Sequence, residues 1–113
     1  MLDIKTKGIL LNIIKKCERI ESIVSKKTKE EFTNNNDLIE LACFNIFQIG
    51  ELSSKLNLDF VKKYKEVPWR EIIGMRHVIV HGYDSIDVEI VWITATEDTI
   101  FLKNKCIDIL NEA

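Results

Sequence analysis

With one proline, four glycines and three cysteines in 113 residues, this chain has few residues that break, turn or staple a backbone. So little proline and glycine argues against many short strands joined by tight turns, and no strand–turn–strand pattern is found. Cys17, Cys43 and Cys106 are odd in number and widely spaced, which excludes a disulfide framework, and no CxxC pair points to zinc. Each has apolar neighbours, so they read as small core residues of a protein in a reducing cytoplasm. A basic excess is also missing: the net charge is −2 and the pI near 5.7. Proteins that neutralise many phosphates need such an excess. Contact with nucleic acid would therefore pass through a local basic cleft, for which Lys62, Lys63, Lys65 and Arg70 are candidates, or those four simply form a solvated face. No run approaches the ~20 apolar residues of a membrane span, and Met1-Leu2-Asp3-Ile4-Lys5 does not open a signal-type apolar segment.

What is present is helical periodicity. Leu10, Ile13, Cys17, Ile20 and Val24 recur at spacings of three and four and predict an amphipathic helix from about Ile4 to about Lys27. Asn34-Asn35-Asn36-Asp37 is a polar break and a ready cap. The next helix, Leu38 to about Leu56, is apolar on more than one side. One stripe holds Leu38, Leu41, Ala42, Ile49 and Leu52, with Ile39, Ile46 and Phe47 beside it. Asn45, Gln48 and Glu51 run along it as a polar strip. Residues 57–65 read as a short helical turn or loop. Pro68 opens a further helix, with Trp69, Ile72, Ile73, Met75 and Val80 as its buried face and Gly82 as its stop. Asp87 caps a last helix on which Val88, Val91, Ala95, Leu102, Cys106 and Ile109 face inward, and Ile93, Ile100 and Ile107 form a second apolar stripe. The expected fold is all-α: one domain over residues 1–113, an antiparallel bundle of four main helices plus a short one.

The chemistry-bearing residues gather in Arg76-His77-Val78-Ile79-Val80-His81-Gly82-Tyr83, which holds both histidines of the chain. Arginine offers a phosphate a rigid fork of donors. Histidine moves protons near neutral pH. On a regular helix Arg76 and His81 point about 140° apart, so they converge only if the helix end unwinds at Gly82 or if two copies share one cleft. His77 and His81 stand at i, i+4, the spacing of a helical zinc pair, with Asp84 as a third ligand. Residue 78 is valine where a metalloprotease helix carries glutamate, and no metal is expected. Without chemistry, the arginine would pair with a carboxylate, the histidine would cap a helix end and Tyr83 would close the bundle.

The string Pro68-Trp69-Arg70-Glu71-Ile72-Ile73-Gly74-Met75-Arg76, continued by His81-Gly82-Tyr83 and Val91-Trp92, resembles the HepT toxins of the HEPN superfamily of small helical ribonucleases and nucleotide-binding domains. Ile49-Gly50-Glu51 resembles that family's second-helix pattern. The resemblance implies an R-x4-H-x-Y motif, here Arg76, His81 and Tyr83, that cuts RNA without a metal or other cofactor. It implies a homodimer with the motifs lining a shared cleft. It also implies a nucleotidyltransferase antitoxin of the MntA type that transfers AMP from ATP onto Tyr83. Glu51 and His77 would support the site; His77 stands where the family often has asparagine. The competing expectation is a non-catalytic nucleotide-binding or adaptor subunit of such a nucleotidyltransferase. Should Tyr83 not be the AMP acceptor, Tyr64 is expected to be the next accessible tyrosine.

Overall fold

The computed structural model describes residues 2–81 and 86–112, with the backbone alone for Val78, Val80 and His81. Gly82, Tyr83, Asp84 and Ser85 lie outside the described residues, and so do the expectations that rest on them: the stop at Gly82, the AMP acceptor and the third metal ligand. The described residues form α1 (Ile4–Val24), α2 (Lys29–Thr33), α3 (Asn36–Ser53), α4 (Leu58–Lys63), α5 (Trp69–His81), α6 (Val88–Ile93), a π-helical segment (Thr94–Asp98) and α7 (Thr99–Glu112). The fold is all-α, a helical bundle as expected. Its long members are α1, α3, α5 and the composite α6–π–α7 rod. Two short helices, α2 and α4, join them.

Five of the helix starts are written in short polar side chains. Asp3 Oδ1 accepts from the Thr6 backbone N–H at 2.7 Å and opens α1. Thr28 and Glu31 exchange backbone bonds in a capping box on α2. Asn35, Asn57 and Asp87 cap α3, α4 and α6. Asn35 thus comes from the polar break read in the sequence. The five-residue α2 just before it went unread, because a helix so short shows no period. Pro68 precedes α5, and its carbonyl accepts the Ile72 N–H at 3.1 Å.

The core runs between α1, α3 and α7. Leu10, Ile13, Cys17 and Ile20 meet Ala42, Cys43, Ile46 and Ile49, with Leu102, Cys106 and Ile109 behind them. Lys103 closes the α1–α7 seam on Glu21 at 2.9 Å. At one end Phe60, Tyr64 and Trp69 stack, and Trp69 Nε1 donates to the Tyr64 carbonyl at 3.1 Å. Tyr64 is buried there, its hydroxyl donating to Glu112 Oε1 at 3.3 Å. This corrects the expectation that it is accessible: its ring is needed inside the aromatic cluster. The inward face of α3 is also rotated from the expected stripe. Ile39, Ala42, Cys43, Ile46, Ile49, Gly50 and Ser53 are buried, while Leu41 and Phe44 stand exposed. No helix among the described residues is long and apolar enough to cross a membrane.

Candidate active site

The site is built where α3 crosses α5, and a glycine sets the separation. A Cβ placed on Gly50 would stand 3.1 Å from both the Arg76 Cβ and the Ile72 carbonyl oxygen. A helix interior costs glycine about 1 kcal/mol relative to alanine; here its missing side chain lets the two backbones approach. The next residue, Glu51, then reaches across: its Oε1 lies 3.4 Å from Arg76 Nη1. Arg76 is 38% exposed and Glu51 44%. A pair so open to water is worth under ~1 kcal/mol, so it aims the guanidinium more than it holds the fold. A phosphate, with more acceptor oxygens and more charge, can displace the carboxylate from it.

Arg76 and Glu51, expected as site residues from two distant segments, are therefore brought together. His81 is the last residue of α5, on the same helix as Arg76. His77 lies between them on α5 and is exposed. Tyr83 lies outside the described residues. Among the described residues no cluster of histidine, cysteine and carboxylates could hold a metal ion. Lys62, Lys63, Lys65 and Arg70 are all exposed, Lys62 and Lys63 closing α4 and Arg70 opening α5. The thiols of Cys17 and Cys106 are pushed up to about 12 by burial, which leaves them protonated and unsuited to nucleophilic work.

The polar strip of α3 has a feature that its spacing alone does not reveal. Asn45 Nδ2 donates to the Leu41 carbonyl at 2.8 Å, but the buried oxygens Asn45 Oδ1 and Gln48 Oε1 have no partner among the described residues. Buried acceptors left unmatched cost of order 1–3 kcal/mol each. The strip ends at Glu51 and the arginine.

An all-helical bundle thus carries a carboxylate-aimed arginine on a helix that ends in histidine. Residues 13–109 match the ribonuclease HepT-like family model, and the chain belongs to that family. It is similar to a protein of Thermococcus cleftensis named probable ribonuclease HepT, at 32% identity over 88% of this chain and 90% of that one. A Methanocaldococcus jannaschii protein named as a proposed RNase is 31% identical over 88% of this chain and 91% of its own length. A longer protein of that organism, named as a gamma-glutamylcyclotransferase and proposed RNase, is 29% identical over 91% of this chain, which spans 46% of it. No solved structure matches the chain with significance.

Proposed function

We propose that this ribonuclease cuts RNA internally without a metal, as a homodimer whose two Arg76–His81 helices line one cleft. In this reading it is the toxin of a pair whose nucleotidyltransferase antitoxin silences it by placing AMP on Tyr83. The observation that carries the reading is the Arg76–Glu51 pair seated over Gly50, on the helix that ends at His81.

RNA supplies its own nucleophile. The 2′-OH attacks the adjacent phosphorus, the bond to the 5′-oxygen breaks, and a 2′,3′-cyclic phosphate remains. The step needs an acceptor for the 2′-OH proton, a donor for the leaving oxygen and positive charge on the phosphorane. His81 serves one proton transfer. Arg76, drawn off Glu51 by the phosphate, supplies the charge where negative charge develops. Water, His77 or the partner subunit serves the other transfer. AMP on Tyr83 would set a phosphate and a nucleoside beside Arg76, competing for its donors and blocking RNA.

The test is expression with and without the nucleotidyltransferase, scoring growth and RNA integrity, followed by cleavage assays on the purified protein. Arg76→Ala and His81→Ala are each expected to abolish cleavage with an unchanged circular dichroism spectrum, and EDTA is expected to leave cleavage intact. Cleavage that EDTA stops and zinc restores would return the His77–His81 metal pair instead. With the antitoxin and ATP, the wild type is expected to gain AMP in mass and lose activity. Tyr83→Phe is expected to keep cutting and to escape silencing. The adaptor reading draws on the net charge of −2. It expects a stable complex with the nucleotidyltransferase and RNA left whole.

A further inference from the structure

Between α3, α5 and the rod that ends in α7 lies a cleft of about 270 Å³. Along α5, Glu71 lies about 140° and Met75 about 100° around the helix from Arg76, while Ile72 stands one turn before the arginine, so the cleft adjoins the candidate active site without including Arg76. Ile46 and Ile49 of α3, Ile72 and Met75 of α5, and Phe101 and Leu102 of α7 make its surface apolar. It stays open because α5, among the described residues, packs chiefly on α3 and leaves its side toward α7 uncovered.

Two further observations mark this cleft. Thr94 and Asp98, the two ends of the π-helical segment, line it. Such turns are disfavoured in hydrogen-bond geometry and are found disproportionately at functional sites. Glu71 and Asp98 also bring a carboxylate from each of two walls, both residues are exposed, and neither has an ion-pair partner among the described residues.

The chemistry selects the occupant. A cleft just below the ~300–1,000 Å³ of small-molecule sites suits an inserted side chain better than a free metabolite. Its carboxylates repel RNA phosphates. A second copy seated here about a two-fold axis would gather four of these carboxylates in one seam, a like-charge arrangement that interfaces avoid. We propose that this cleft is a docking site for a partner protein, taking a helical segment whose apolar anchor is flanked by lysine or arginine. The inference is independent of the ribonuclease mechanism, since neither Arg76 nor Glu51 lines the cleft.

The probe is a fluorescein-labelled helical peptide with leucine and phenylalanine four residues apart, flanked by lysines, and a twin flanked by glutamates. Fluorescence anisotropy with the full chain is expected to show saturable binding of the lysine peptide and binding about tenfold or more weaker for the twin. Glu71→Lys combined with Asp98→Lys is expected to reverse that order. Phe101→Asp, at a residue 44% exposed and so safe for the fold, is expected to abolish binding. Leu11→Asp, at a residue of α1 53% exposed and outside the cleft, is expected to change nothing. Equal binding of both peptides, no saturable binding, or a loss in Leu11→Asp matching that in Phe101→Asp would each overturn the proposal. So would a double charge reversal that alters the protein's own mass by light scattering, since the occupant would then be a second copy.

Discussion

Gly50 decides how near the arginine's helix can come. Gly50→Val would press branched carbons into the Ile72 carbonyl and the Arg76 side chain, both 3.1 Å from the first added atom. The two helices must part, and overpacking of this kind costs about 1–3 kcal/mol. Urea unfolding is expected to show that loss, with RNA cleavage falling further because Arg76 moves off its aim. Glu51→Gln separates aim from stability: it is expected to shift unfolding by no more than ~0.5 kcal/mol while reducing cleavage. Arg76, His81 and Glu51 were legible in the sequence through the family resemblance. The role of Gly50 was not, because a mid-helix glycine has no spacing signature and its function lies in what α5 places against it. The orphaned oxygens of Asn45 and Gln48 were equally hidden: a polar strip on a helix does not say which of its atoms end up without donors.

At the scale of the helix, the caps at the polar break of residues 34–37 and at Asp87 were read from the sequence; those at Asp3 and at Thr28 with Glu31 were not, and these two carry a testable pH dependence. The Asp3 carboxyl lies below its ordinary value of 3.8, chiefly through the hydrogen bond from the Thr6 backbone and then through the Thr6 side chain. The Glu31 carboxyl lies below 4.5, chiefly through the Thr28 backbone N–H and then the Thr28 side chain. A carboxyl depressed on folding adds stability above its unfolded value and loses it as pH falls through the folded one. Thermal melts are therefore expected to hold steady down to about pH 5 and to decline between about pH 5 and 3. Asp3→Asn, still a competent cap but unable to titrate, should soften that decline. The last helix was legible as a continuous period but not as a composite. Val91, Ala95, Leu102, Cys106 and Ile109 are buried as expected. The inward spacing, however, passes through Thr94–Asp98 without revealing the π turn. The local chemistry was the available signal. Thr96 Oγ1 donates to the Trp92 carbonyl at 2.7 Å and Thr99 Oγ1 to the Ala95 carbonyl at 2.8 Å. Threonines bonding back by four residues loosen the helical ladder where they cluster.

For the whole molecule, helix order and bundle class followed from periodicity and scarce turn residues, whereas which face of α3 points inward did not. Leu41 and Phe44 are apolar enough to be read as core but stand 51% and 55% exposed, and Ile93 and Ile100 are 46% and 39% exposed. A helix apolar on several sides gives no internal reference for its rotation; its neighbours supply one. The apolar girth of α3 and the stripe Ile93, Ile100 and Ile107 underlie the expectation of a homodimer burying more than ~1,000 Å², and these exposed groups are available to it. Multi-angle light scattering at micromolar concentration is expected to give twice the chain mass, and Leu41→Glu with Phe44→Glu to give the monomer; a wild-type monomer would remove the shared cleft from the mechanism. The attachment of α5 chiefly to α3 has a further consequence for how the molecule comes apart. A helix supported mainly on one side can open as a local unit while the α1–α3–α7 core stays shut. Amide protons of α5 should then exchange with deuterium well before those of α1. On warming, ribonuclease activity should fade while most of the helical signal survives, because the segment bearing Arg76 lets go first.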